Sequence, residues 1–335
     1  MEPTVLDADP AYPPTPAPAG QAARPAVAVG KSPTRIALAR LRKDRVAMTS
    51  AGIVAGFVLI AVFAPVLAWI EGQDPTTYHM ELVDQYGFPI IGPTTDHWFG
   101  VEPRLGRDLF ARWVYGARPS LIVAGTVTLI TTIIGTIVGL VAGFLGGWVD
   151  RICSWVIDFV LSLPYLLFAI ATSAVLVSIF GGTTGATPDV VARTRFISLI
   201  CVLTFFGWAS LARLIRGQVL SLREREFISA AKVLGVPTRQ VLFKELLPNL
   251  VAPIVISATL ALPAYIVAEA GLTFLGVGLV EPTPSWGVTI SAARTFYRAD
   301  PLFLWLPVIG LTILVLALSL LGDAVRDAFD PRTRR

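Results

Sequence analysis

Leu121–Gly143 reads LIVAGTVTLITTIIGTIVGLVAG, a run without one charged side chain. A bilayer's hydrocarbon core needs ~20 predominantly apolar residues per helix, so this stretch is long enough to cross. It sits inside an apolar block at about 117–144, and further blocks lie near 46–70, 152–180, 196–220, 250–275 and 303–322. The pattern predicts an all-α membrane protein with six transmembrane helices, the first an uncleaved anchor. Composition agrees. Apolar residues make up 54% of the chain and charged ones 15%, with a mean hydropathy of +0.69, whereas soluble domains are roughly a quarter charged. The first residues lack a basic n-region, a short apolar core and a small-residue cleavage site, so no cleavable signal peptide is expected.

Lys and Arg orient the chain. With the N-terminus in the cytoplasm, that side carries 7 basic residues in 1–46, Arg151, 7 in 213–250 and 4 in the tail; the other side carries 8 of the 27. The bias predicts cytoplasmic N- and C-termini, a cytoplasmic 221–250 loop and an extracellular 71–116 loop. The net charge of +4 and pI near 9.3 follow from these basic loops, and nucleic acid is not expected as a partner. Residues 1–34 are Pro/Ala-rich, too poor in large apolar residues to offset their chain entropy, and are expected to be a disordered cytoplasmic tail. A basic helix and the first span fill 35–70, the loop 71–116, a five-helix core 117–322 and a second cytoplasmic tail 323–335.

Several chemistries are excluded. Gly30-Lys31-Ser32 imitates the end of a phosphate-binding loop, but Pro25 stands where the motif needs glycine and no strand precedes it. Cys153 and Cys201 lie in apolar blocks without CxxC spacing, and His79 and His97 are the only histidines. That inventory is too thin for a usual zinc or haem site, so neither a metal nor a resident cofactor is expected, and no catalytic constellation is present.

Inside the membrane, Gly135, Gly139, Gly143 and Gly147 recur every four residues, which places them near one helix face for close packing, internal or between subunits. Asp158 and Glu269 are acids within apolar blocks and should face protein or water rather than lipid. They are pathway or gating candidates, with structural pairing the other reading. Pro164 and Pro263 should kink the third and fifth helices.

The most specific stretch is Glu224–Asn249, EREFISAAKVLGVPTRQVLFKELLPN. It reads as helix, tight break and second helix. Glu226 sits early, where acids suit the positive dipole end. Ala230-Ala231 would let something lie close against that face. Gly235 suits the left-handed position past a helix end, Pro237 the first turn of the next helix, and Pro248 marks a break before the membrane block resumes.

The order Ser229-Ala230-Ala231, Gly235, Leu247-Pro248 resembles the EAA loop of ABC importer permeases, with Ser229 where that motif often has Glu and Glu245 at a usually hydrophobic position. His97-Trp98-Phe99-Gly100, Leu105-Gly106-Arg107-Asp108 and Tyr115-Gly116-Ala117-Arg118 resemble the HxxGTDxxGRD…GAR signature of C-type permeases of dipeptide and oligopeptide (and nickel) importers; Val101-Glu102-Pro103-Arg104 replaces its Thr-Asp part. DFVLSLP, with Asp158 and Pro164, and the run from Glu269 to Gly278 followed by Ser285-Trp286-Gly287 are similar to its third- and fifth-helix motifs. The resemblance covers about 35–330.

It implies a type I ABC importer permease fold in a bacterial cell membrane, with a cytoplasmic coupling helix docking on an ATPase. The implied partners are a homologous B-type permease, two ATP-binding subunits that hold ATP and Mg, an extracellular solute-binding protein, a peptide substrate and the lipid bilayer. Coupling would fall to Glu226, Ser229, Ala230, Ala231, Gly235, Leu247 and Pro248. The 71–116 and 276–302 loops, with Arg107, Asp108 and Trp286, would meet the binding protein, although Arg107 and Asp108 also read as a salt bridge inside the outer lobe. A nickel or other small-solute importer, and an autonomous channel or secondary transporter, are the alternatives.

Overall fold

A computed structural model describes residues 33–180 and 187–330. Most of the Pro/Ala-rich tail, including Gly30-Lys31-Ser32, and the last five residues lie outside the described residues. The basic stretch and first span form three pieces: α1 (Pro33–Leu41), α2 (Arg45–Val62) and α3 (Ala64–Glu71). Asp44 makes the first break. Its carboxylate accepts from the backbone N–H groups of Val46 (2.8 Å) and Ala47 (3.3 Å), satisfying donors that a helix start leaves free. Gly72, at φ +84°, ends α3 in the left-handed conformation.

The long helices follow: α4 (Leu109–Leu145), α5 (Gly147–Ser162), α6 (Tyr165–Phe180) and α7 (Pro188–Leu222). After the short α8 (Glu226–Val233) come α9 (Thr238–Gln240), α10 (Leu247–Phe274), α11 (Trp286–Ala293) and α12 (Pro301–Phe329). Among the described residues there is no named β-strand, only two isolated bridges in the outer loop, Val83–Pro89 and Val101–Asp108. Five helices are long and apolar enough to span: α2, α4, α7, the Thr238–Phe274 run and α12. The bent pair α5–α6 brings the number to six if it is one span.

That pair replaces the expected third helix, 152–180. Pro164 does more than kink it, for α5 and α6 meet at 90°. Leu163 is extended (φ −71°, ψ 134°), the conformation favoured before proline because the ring crowds the preceding residue out of the helical region. Pro164 then starts α6, its carbonyl accepting from Phe168 N–H at 3.1 Å. Pro263, by contrast, lies inside α10 without ending it.

The glycine stripe packs α4 on α7. A methyl group built at Gly135, Gly139 or Gly143 would lie 2.7–2.9 Å from the carbonyl oxygens of Trp208, Ala212 or Arg216, so the backbones meet where side chains are missing. Gly147 is not part of this face: it begins α5 at φ +56° with open space around it. Around this axis, Phe57, Ala124, Ile266, Trp286 and Leu314 form a buried cluster joining α2, α4, α10, α11 and α12.

Candidate functional site

At the end of the bundle that carries the 221–250 loop, α8 and the start of the α9–α10 run fold back on the ends of α4 and α7. Ile228, Val241, Leu246 and Leu250 are fully buried with Leu140, Leu211, Ile215 and Val219, and Ala231, Val236 and Leu247 are partly buried against them. The predicted break is real. Val236 N–H reaches Ala231 C=O (3.0 Å) and Leu234 N–H reaches Ala230 C=O (3.0 Å), leaving Gly235 at φ +72° with nothing near its missing side chain. Glycine is needed there for conformation and not for space. Pro237 stands just before α9 rather than in its first turn.

Pro248 does not break the second helix. Thr238 to Phe274 is one continuous helical run, and Val241–Leu246 winds as a π-helix. A proline cannot donate to the fourth residue back and its ring crowds that carbonyl. The wider π turn absorbs the mismatch: Leu247 N–H bonds Leu242 C=O, and Asn249 Nδ2 donates to Glu245 C=O at 2.6 Å. The loop is therefore joined without interruption to the span that carries Glu269.

The two alanines diverge. Ala231 turns toward the core, whereas Glu226, Ser229 and Ala230 are exposed. The outward face is completed by residues that the sequence reading did not single out: Val233 (88% exposed), Leu234 (80%), Phe227 and Phe243. Large apolar side chains held open beside a buried core form a candidate docking surface. Their signal in the sequence was only the helical spacing of Phe227, Ala230, Val233 and Leu234.

The opposite end is built the other way. The 71–116 segment contains a 3-10 turn (Met80–Leu82), and α4 starts at Leu109, earlier than the expected 117. Asp108 caps α4 through Ala111 N–H (2.7 Å), and its second oxygen lies 2.8 Å from His97 Nδ1. Arg107 does not pair with Asp108. It bonds Glu102 and takes Glu281 bidentately (2.9 and 3.0 Å), while Arg112 lies 3.1 Å from Glu102 and donates to Glu281 at 2.7 Å. Burial pushes the Glu102 carboxyl up despite the arginines. Burial acts on Glu281 too, but Arg112 and then Arg107 outweigh it and hold Glu281 below the usual carboxylate range. Glu71, which accepts from Trp98 N–H at 2.7 Å, is raised to about 7 by burial, with the carboxylate of Asp108 adding to the shift.

Arg107, Asp108 and Trp286 are thus interior residues (6%, 0% and 1% exposed) rather than surface contacts. The reason is pairing: Trp286 donates to Trp113 C=O at 3.0 Å and covers Gly116, and the two charges hold the lobe to α4 and to the 281 loop. His79 and His97 stack edge to face at 5.0 Å; no cluster of three or more metal-ligating side chains occurs among the described residues.

Of the two intramembrane acids, Glu269 is fully buried between α4 and α10, accepting from Ser120 Oγ (2.6 Å) and Thr273 Oγ1 (3.1 Å). Asp158 is exposed on α5 and is held by Arg213 of α7 at 2.6 Å; about two turns earlier Asp150 takes Arg216 at 2.8 Å. The structure does not bring Asp158, Pro164 and Glu269 together. Pro164 and Asp158 belong to the bent pair, Glu269 to the core.

Residues 135–335 match the model of a family described as binding-protein-dependent transport system inner membrane component, and residues 32–85 match the N-terminal transmembrane domain of oligopeptide transport permease C. The chain is 36% identical to a dipeptide transport system permease protein of Alkalihalophilus pseudofirmus, over 90% of this chain and 91% of that protein. It is equally, 36%, identical to a glutathione transport system permease protein of Salmonella typhimurium, over 91% and 92% of the two chains. A dipeptide permease of Bacillus subtilis is again 36% identical, over 90% and 87%.

Proposed function

Because the chain belongs to the family of binding-protein-dependent transport system inner membrane components, and is a multi-pass transmembrane permease, we propose that it forms half of the channel of an ATP-driven peptide importer. The substrate class follows the names of its relatives, which are dipeptide and glutathione permeases. In this reading the other half is a homologous B-type permease, two ATP-binding subunits hold ATP and Mg, and a solute-binding protein delivers peptide from outside a bacterial inner membrane. Both termini and the 221–250 loop face the cytoplasm.

The observation that carries the reading is the exposed apolar face of α8, joined rigidly to a membrane span. ATP-driven closure of the ATPase pair would draw this face inward, and the continuous Thr238–Phe274 helix would move with it. The permease contributes packing and electrostatics, and the bond-breaking chemistry takes place in the partner. Phe227, Ala230, Val233 and Leu234 supply the docking ridge. Glu226 and Ser229 rim it, while Gly235 sets the turn that presents it. Leu247 and Pro248 belong to the π-helical junction behind it.

The test is co-purification from native membranes, comparing the tagged chain with Ala230→Arg, a change on the exposed ridge. A second permease and an ATPase should accompany the wild type, and the variant should keep the permease and lose the ATPase. A wild-type chain that purifies with no nucleotide-binding partner would overturn the assignment.

A further inference from the structure

Residues 35–45 hold five cations, Arg35, Arg40, Arg42, Lys43 and Arg45, and one acid, Asp44. The acid is spent as the cap of α2. Arg40 is spent as well: its Nη1 donates to the carbonyls of Ala328 (3.4 Å) and Asp330 (3.2 Å) at the end of α12. That clamp fixes α1 against α12, with Ala37 buried in the contact. The remaining four cations are exposed, and none is in an ion pair among the described residues.

Position decides what these cations meet. Arg45 is the first residue of α2, a membrane-spanning helix whose outward side chains (Val46, Ile53, Val58, Leu59) are apolar and open. On α1 itself Ile36 and Leu38 are also open, 39% and 52% exposed, beside Arg35 and Arg42. A shallow groove of about 420 Å³ runs along α1 between Arg35, Ile36, Ala39, Arg40 and Lys43. Apolar side chains next to unpaired cations, at the level where a span leaves the hydrocarbon, match the two-part chemistry of a phospholipid: acyl chain and anionic headgroup.

We propose that the groove along α1 and the turn after it is a binding site for anionic phospholipid, with Arg35 and Lys43 holding the headgroup phosphate and Ile36 resting on an acyl chain. Arg40 is a positioning residue that holds the helix in place. A phosphate group is the recognised chemistry; the bilayer is the source, because the apolar half of the site has no role for free phosphate.

The experiment is lipid retention measured by native mass spectrometry on the full chain with its accompanying subunits, using phosphatidylglycerol against phosphatidylcholine. Wild type should retain phosphatidylglycerol in preference. Arg35→Gln with Lys43→Gln should weaken that retention by about thirtyfold, the value of two juxtamembrane cations. Arg193→Gln with Arg298→Gln, exposed cations toward the other end of the spans, removes the same charge and should change nothing. Equal retention of both lipids by wild type, or equal loss in the two double variants, would overturn the site. Displacement of lipid by millimolar inorganic phosphate would overturn the assignment to the bilayer.

Discussion

The two ends of this molecule are inverted images of ordinary surface chemistry. At the end formed by the 71–116 segment charges are inside: Arg107, Arg112 and Glu102 are buried and close a network with Glu281. At the loop end apolar side chains are outside, Val233 and Leu234 being 88% and 80% exposed. Buried charges are tolerable only when each finds its partners, and the outer lobe supplies them from its own chain. The exposed apolar residues find no such relief among the described residues. The 71–116 lobe satisfies its charges from its own chain, whereas the loop end leaves apolar side chains open, as a docking surface would.

The inversion breaks most severely if the outer network loses one cation. Arg112→Ala leaves Glu102 and Glu281 short of charge and should destabilise the chain by about 3–5 kcal/mol, read as a shifted unfolding midpoint in mixed micelles. A shift below about 1 kcal/mol would mean that water already serves the two carboxylates. A change at the loop end should leave that midpoint alone. Leu234→Glu sits in open space and should weaken ATPase association by roughly 2 kcal/mol, about thirtyfold, with stability unmoved. If stability fell instead, Leu234 would be completing this chain's own core.

The smallest effect is a pH dependence. Glu71 titrates near 7 in the folded lobe against an ordinary 4.5, so the folded state binds the extra proton. Stability from this group is full below about 4.5, falls as pH rises toward 7 and then levels. Glu71→Gln should flatten the midpoint-versus-pH curve in that window. A curve that keeps its slope would place the proton elsewhere than on Glu71.

The legible part of this architecture is what depends on neighbours in sequence. Uninterrupted apolar runs gave the spans, the four-residue spacing of Gly135, Gly139 and Gly143 gave a packing face, and Gly235 gave the turn. What escaped depends on distant partners or on how the chain resolves a conflict. Glu281 joins Arg107 across 174 residues, and no local pattern announces that. Pro164 and Pro248 obey the same rule in sequence, yet one makes a right angle and the other sits just past a π-helix in an unbroken run. The difference follows from what surrounds each. Around Pro248 the buried Val241, Leu246 and Leu250 hold both sides of the junction to one core, so the helix widens instead of turning. Ala230 and Ala231 likewise looked equivalent until burial separated them.

That widened junction has a mechanical consequence. Thr238–Phe274 comprises 37 residues, about 55 Å of helix at 1.5 Å per residue. Tilting such a rod by 10° about its midpoint carries each end roughly 5 Å in opposite directions, a distance comparable to one helical turn. Stiffness works in both directions. If the run moves as one body despite Pro253 and Pro263, whatever favours one tilt at its Phe274 end must, by thermodynamic reciprocity, favour the matching arrangement at its Thr238 end, beside α8. A single unbroken helix thereby makes arrival at one face of the membrane legible at the other.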